Sequence, residues 1–394
     1  MKKTLMVVAL SGAFATAAHA QSSVTLYGLI DGGLTYTNNQ AGHSAFQMRS
    51  GAVNGSRFGL RGSEDLGGGL KAIFTLENGF NINNGALGQS GRMFGRQAFV
   101  GLASDQFGAV TLGRQYDSVV DYLAPLSITG GQYGGTTAAH PFDNDNLNNS
   151  VRLNNTVKYS STNYNGFKFG GTYSFSNSSQ FANNRAYSFG ASYNYGGLNV
   201  AGGYLQLNND LASATFAGNA AALAGTGGAG AQTGEWTFAA GTQRTFGGGL
   251  NYTFGPATAG FVYTQTNLSN AAGGGISAAQ SGTPGGIAFA GNSARFQNFE
   301  GNVRYALTPA MSLAGAYTYT RASLGGGVNP NYNSVSLQSD YLLSKRTDVY
   351  LQGNWQHVSS NPGGIGANLN GLGADSASTT QNQVAVTVGM RHRF

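Results

Sequence analysis

Cysteine is absent from all 394 residues, which excludes a disulfide framework, thiolate zinc sites and thiol catalysis at once. Proline is scarce, at 7, and charged residues make up only 9% of the chain. No lysine-rich tract interrupts it, so nucleic acid is not an expected partner. Long hydrophobic runs are missing too. The longest, residues 5–17, is about 13 residues against the roughly 20 that a spanning helix needs. That run follows Lys2 and Lys3 and ends in Ala18-His19-Ala20, the pattern of a secretory signal with cleavage after Ala20. Without those two lysines, 19 basic residues face 15 acidic ones, a mild excess.

What is abundant is glycine, at 63, with 20 tyrosines and 23 phenylalanines. A helical protein does not tolerate that much glycine, whereas glycine-kinked strands flanked by aromatics require it. The alternation is plainest at the C-terminus. Val384, Val386, Val388 and Met390 take one face of an extended strand, and Thr387, Gly389, Arg391 and Arg393 take the other. Aromatic and small residues alternate in the same way through 167–175 and 187–195.

Paired strands recur from Val24 onward, about sixteen in all. Short turns fall at 64–68, 105–107, 196–197, 255–256, 308–309 and 344–346. Longer polar connections fall at 38–54, 81–92, 116–150, 208–234, 269–294 and 359–381. A soluble sandwich has no reason to keep short and long connections in strict alternation, but a barrel crossing a membrane does, because its two rims are built differently. A bilayer offers backbone groups no water, so strands cross it only when the sheet closes. The expected fold is therefore all-β: a 16-stranded antiparallel transmembrane β-barrel with short periplasmic turns and long extracellular loops. At about sixteen strands the interior is an aqueous channel rather than a packed core.

Several segments are similar to one known family. They are Ser23-Val24-Thr25-Leu26-Tyr27-Gly28, Ser56-Arg57-Phe58-Gly59-Leu60-Arg61-Gly62 with Ser63-Glu64-Asp65-Leu66-Gly67, Arg96-Gln97-Ala98-Phe99-Val100-Gly101-Leu102, Leu112-Gly113-Arg114-Gln115 and the terminal Phe394. Together they resemble the trimeric general diffusion porins of Gram-negative outer membranes, most closely the branch common in β-proteobacteria. The resemblance spans the mature chain, 21–394. It implies a homotrimer among outer-membrane lipid and lipopolysaccharide, no cofactor, and passage of ions and small hydrophilic solutes. It also implies that Phe394 belongs to the signal read by the barrel-assembly machinery.

In that family the third long loop folds into the lumen opposite a ladder of wall arginines. By motif matching the ladder falls on Arg57, Arg96 and Arg152, and the loop on residues 116–150. Alternation turns Arg57 and Arg61 inward behind Phe58 and Leu60. It also turns Arg152 and Lys158 inward if Val151, Leu153, Val157 and Tyr159 face lipid. At Arg96 the phase is ambiguous. Asp117, Asp121, Asp143 and Asp145 are the carboxylates available to oppose these cations. The loop tip, 124–135, carries none, so a mild anion preference is expected.

Asp143-Asn144-Asp145-Asn146 opens like a calcium loop, yet its sixth and twelfth positions are Asn148 and Asn154, so a metal site is not expected. Glu300 and Arg304 share an inward face, but strand spacing places them more than about 10 Å apart, in separate networks. The histidines lie in loops or near strand ends, and no hydrolase or nucleotide-binding string appears. No enzyme activity is expected. A substrate-selective channel would show saturable flux, and an adhesive barrel would show no conductance; those are the alternatives.

Overall fold

The computed structural model describes residues 23–394, except 132, 178, 180, 183, 209–237, 239, 271–274, 277–286, 290–292, 360–363 and 374–375. The signal segment 1–20 and most of the 208–234 and 269–294 connections lie outside the described residues.

Alternation is realised inside out. On the last strand Val386, Val388 and Met390 are exposed while Ala385, Thr387 and Arg391 are buried. The outer face is oily and the enclosed face polar, which suits a lipid surround. The strands are β1 (Ser23–Gln40), β2 (His43–Ser50), β3 (Arg57–Gly67), β4 (Leu70–Gly79), β5 (Gln97–Ser104), β6 (Gly108–Gln115), β7 (Leu153–Ser160) and β8 (Phe167–Ser174). The second half has β9 (Ala186–Tyr195), β10 (Leu198–Asn208), β11 (Thr242–Phe254) and β12 (Ala257–Ser269), then β13 (Gly275–Ile276) and β14 (Ile287–Ala288), a small hairpin outside the main sheet. It ends with β15 (Ser293–Ala306), β16 (Met311–Ser323), β17 (Asn331–Leu342), β18 (Thr347–Ser359) and β19 (Asn382–Arg393). Every neighbouring pair is antiparallel, and β1 closes the ring by pairing Leu29 with Arg393 through Thr37 with Ala385.

The main sheet has 17 strands, but β2 and β3 occupy one lane. β2 pairs with the upper part of β1, from Gly32 opposite Ser50, and β3 pairs with its lower part, from Ser23 opposite Ser63. The barrel is therefore 16-stranded.

This lane corrects the sequence expectation of a long loop at 38–54. β1 continues to Gln40, turns through Ala41 and Gly42, and returns at once. Both turn residues have positive φ, 49° and 94°, the twist a two-residue hairpin favours. Alanine at the first position disguised it. The irregular piece is only 51–56, which enters the barrel and is held by Asp31. That carboxylate accepts from Val53 N at 3.0 Å, Asn54 N at 2.7 Å and the Tyr350 hydroxyl at 2.7 Å.

A second correction concerns Val151 and Leu153, expected on the lipid face. Both are buried inside, packed with Val119 and Leu147. Asn155 has a φ of 51°, and the β6–β7 register shifts between Gly113 and Gln115. Parity counted back from Val157 therefore loses a step there.

Candidate functional site

Residues 116–131 and 133–152 run inside the barrel. The loop starts with Asp117, whose Oδ1 accepts from Val119 N at 2.7 Å and Val120 N at 3.2 Å, starting the helical turn Val119–Leu123. That turn seats Val119 and Leu123 against Leu205 and Val262 of the inner wall. The wall makes room with glycines. A Cβ on Gly190 would stand 2.8 Å from the Tyr122 ring, and one on Gly247 would stand 3.0 Å from Leu123. Side chains there would lift the loop away from the wall.

The far part of the loop is tied to the opposite wall. Ile128 N donates to Glu300 Oε1 at 2.7 Å, and Gln352 donates to the Gly134 carbonyl. Thr137 Oγ1 donates to Gln352 Oε1 at 3.1 Å, while Asn354 donates to Thr137 at 2.9 Å. Phe142 packs edge-on to Phe296 and Tyr332 within an apolar cluster. Gly135 abuts Ala52 and Val53 of the 51–56 excursion. The loop thus spans the lumen and is fixed at both sides.

The loop aspartates serve largely to build it. Asp117 Oδ2 accepts from Asn146 at 2.7 Å. Asp143 accepts from Asn148 N at 3.0 Å and Ser150 N at 3.2 Å, the bonds that close its turn. Burial pushes both carboxyls up to about 6, helped by Asp121 beside the first and Asp145 beside the second. Asp145 meets His140 Nδ1 at 2.6 Å and accepts from Thr264 Oγ1 at 2.5 Å. His140 Nε2 lies 3.1 Å from Glu300 Oε2. Asp121, partly exposed, forms an ion pair with Lys158.

Arg57, Arg96 and Arg152 converge on one carboxylate, Glu77 of β4. Arg96 Nε donates to Glu77 Oε1 at 2.6 Å, and its Nη2 donates to the Tyr116 hydroxyl at 3.0 Å. Tyr116 donates to Glu77 Oε1 at 3.1 Å and Tyr27 to Oε2 at 3.0 Å. The Arg152 guanidinium lies 5.9 Å from the centre of the Tyr116 ring. Arg57, Arg96 and Glu77 line a pocket of about 410 Å³. Arg96, whose phase alternation leaves ambiguous, sits in a bend before β5 and reaches the lumen. Arg61 lies lower, over the Tyr27 ring at 5.4 Å. Lys158 donates to the Tyr116 carbonyl at 3.2 Å.

Sequence reasoning missed Glu77 and Tyr116. The signal for Glu77 was present, since alternation along β4 places Lys71, Thr75 and Glu77 on one inward face. A second charged network lies on β17–β19, where Arg391 pairs with Asp340 and Asp348 and Arg393 pairs with Asp348. There cations and carboxylates balance. Around Glu77 three arginines meet one carboxylate. Glu300 and Arg304 do join separate networks, the latter lying 4.5 Å from the centre of the Tyr133 ring. Phe394 pairs by backbone with Gly28 at 3.1 Å in both directions.

A family profile described as Gram-negative porin matches residues 5–361. An outer membrane porin protein of Bordetella pertussis is 34% identical over 427 aligned residues, covering 100% of both chains. Outer membrane porin protein 32 of Delftia acidovorans is 30% identical, again covering 100% of both. Among solved structures, the anion-selective porin from Comamonas acidovorans superposes with a TM-score of 0.71 at 24% identity, covering 95% of this chain and 100% of that one. OmpT of Vibrio cholerae, also solved in a trimer form, gives 0.62 at 15% identity, covering 95% and 99%.

Proposed function

The chain belongs to the Gram-negative porin family, and on that premise we propose that its channel prefers anions mildly, with Arg57, Arg96 and Arg152 forming the positive side of the constriction. The protein is an outer-membrane diffusion porin, a passive pore and not an enzyme. The observation that carries the selectivity reading is the imbalance of three arginines against Glu77 beside a loop in which Asp117 and Asp143 are turned to internal bonds. A fixed positive field at the narrowest level raises the local concentration of anions and repels cations. The anion-selective character of the Comamonas porin supports the same reading.

Further parts of the reading concern assembly. The chain forms a homotrimer, in keeping with the trimer form known for a structural neighbour. Phe394, at the seam where β1 meets β19, serves as the aromatic residue presented to the barrel-assembly machinery. Ions and small hydrophilic solutes cross between the loop and the arginine wall.

The test is a reversal potential across a salt gradient with purified protein in planar bilayers. A sign showing more permeant chloride than potassium is expected, and Arg152→Ala reduces it. Cation selectivity in the wild type, or an unchanged ratio in that variant, refutes the reading.

A further inference from the structure

Below the constriction loop, toward the short-turn rim, the inner wall is lined by asparagine on strand after strand. Asn194 of β9 lies opposite Asn199 of β10, Asn199 lies opposite Asn251 of β11, and Gly260 of β12 stands between Asn251 and Asn302 of β15. The four share one height of the barrel. Their chain neighbours Tyr193, Val200, Leu250 and Val303 are exposed on the outer face, so alternation turns the amides inward.

The amides are joined in series. Asn194 Nδ2 donates to Asn199 Oδ1 at 2.7 Å, and Asn199 Nδ2 donates to Asn251 Oδ1 at 2.6 Å. Asn302 Nδ2 donates to the Leu126 carbonyl at 2.9 Å, which ties the row to the underside of the loop. A Cβ on Gly260 would stand 2.8 Å from Asn302 Oδ1 and 3.1 Å from Asn251 Cβ, so glycine leaves the two amides room. The row keeps unused capacity. Among the described residues, the Asn251 amide nitrogen donates to no protein group and Asn194 Oδ1 accepts from none.

Between the row and the loop lies a cavity of about 360 Å³, lined by Tyr122, Pro125 and Leu126 on the loop side and by Asn194, Asn199 and Asn251 on the wall side. Charge is confined to its edge, where Lys168 of β8 is exposed and Asp121 is held by Lys158. The centre sets neutral amides against an apolar shelf.

A sugar ring has the matching construction, with hydroxyls around its edge and C–H groups on its faces. Each hydroxyl is both donor and acceptor, and a primary amide answers both with its NH2 and its C=O. A small inorganic anion would leave the shelf and the amide carbonyls unused. A purely apolar solute would strand the amides. The cavity falls at the lower end of the range for small-ligand sites, about 300–1,000 Å³.

We infer that the asparagine row and the underside of the constriction loop form a subsite for a hexose-sized neutral sugar on the short-turn side of the pore. The site is open to the lumen, so a bound sugar pauses there and still moves down its gradient. The inference rests on the diffusion-porin reading. Chloride conductance in the absence of sugar tests that reading by itself.

The experiment uses the purified full-length barrel in a sugar-free detergent, titrated with D-glucose or, separately, with glycerol. Saturation-transfer difference NMR follows the solute protons. Glucose should show transfer that saturates with a Kd on the order of millimolar, strongest at its ring C–H protons. Glycerol, which has hydroxyls but no ring face, should show none that saturates. The double variant Asn199→Leu, Asn251→Leu should bind glucose about tenfold more weakly, and its insertion into planar bilayers as conducting channels shows that its barrel has folded. Equal, unsaturating transfer to glucose and glycerol in the wild type overturns the site without relying on any variant. Undiminished glucose binding by the double variant overturns it as well, because the sugar then sits elsewhere.

Discussion

His140 and Glu300 meet at 3.1 Å across the lumen, joining the constriction loop to β15. The other ring nitrogen faces Asp145 at 2.6 Å. Burial opposes charge on this imidazole, but Asp145 and Glu300 outweigh it and hold its pKa up to about 10. Removing the cation leaves carboxylates buried without it, a loss of about 3–5 kcal/mol in comparable sites. His140→Ala should therefore loosen the loop while leaving the barrel folded. Single-channel traces should become noisier, and a trace as quiet as wild type refutes the role.

The pH dependence follows from the sign of that shift. A histidine raised in the folded state stabilises fully below its unfolded value, about 6.5, and the contribution is lost as pH rises through about 10. Asp117 and Asp143, raised to about 6 by burial, disfavour the folded loop once ionised, so acidification through that range relieves them. Current noise should thus rise progressively on the alkaline side, from about pH 6.5 to about pH 10, and fall as the pH is lowered below about 6. Noise that stays unchanged between about pH 6.5 and about pH 10 contradicts this assignment.

Glu77 sets how much of the arginine charge is felt. Glu77→Gln removes one negative charge beside Arg96. At a few ångströms in water a unit charge is worth about 0.5–1 kcal/mol. The anion-to-cation permeability ratio should rise by about twofold to fivefold in Glu77→Gln and fall by a similar factor in Arg57→Ala, both read from reversal potentials.

The seam gives a structural test. A Cβ at Gly28 would stand 2.4 Å from Phe394 Cζ and 2.7 Å from the Arg57 carbonyl. One contact is a movable ring, but the other is backbone, so Gly28→Ala should cost about 1–3 kcal/mol by overpacking. The folded, heat-modifiable band on gels should melt at lower temperature. Gly301→Ala, whose Cβ meets nothing within 4 Å, should not change it.

Periodicity revealed the strands because every residue of a two-sided wall reports its side. The inward direction of Arg57 and Lys158 followed from parity alone. Parity failed at Asn155, where one residue with positive φ shifts the count without marking the sequence, and the hairpin through Ala41 and Gly42 was read as loop because alanine is not an expected turn residue. The loop's attachments were invisible for another reason. His140 and Glu300 are 160 positions apart, and nothing local to either residue names the other. The convergence on Glu77 was half legible: its inward face followed from alternation, but not which arginines would reach it.

Closure has a price in time. Leu29 pairs with Arg393, so the first strand to be made must wait for the last before its edge is covered. Until then the nascent sheet offers open hydrogen-bonding groups to any other chain. The protein must therefore travel from ribosome to membrane guarded and unpaired, and its folding can finish only after its synthesis has.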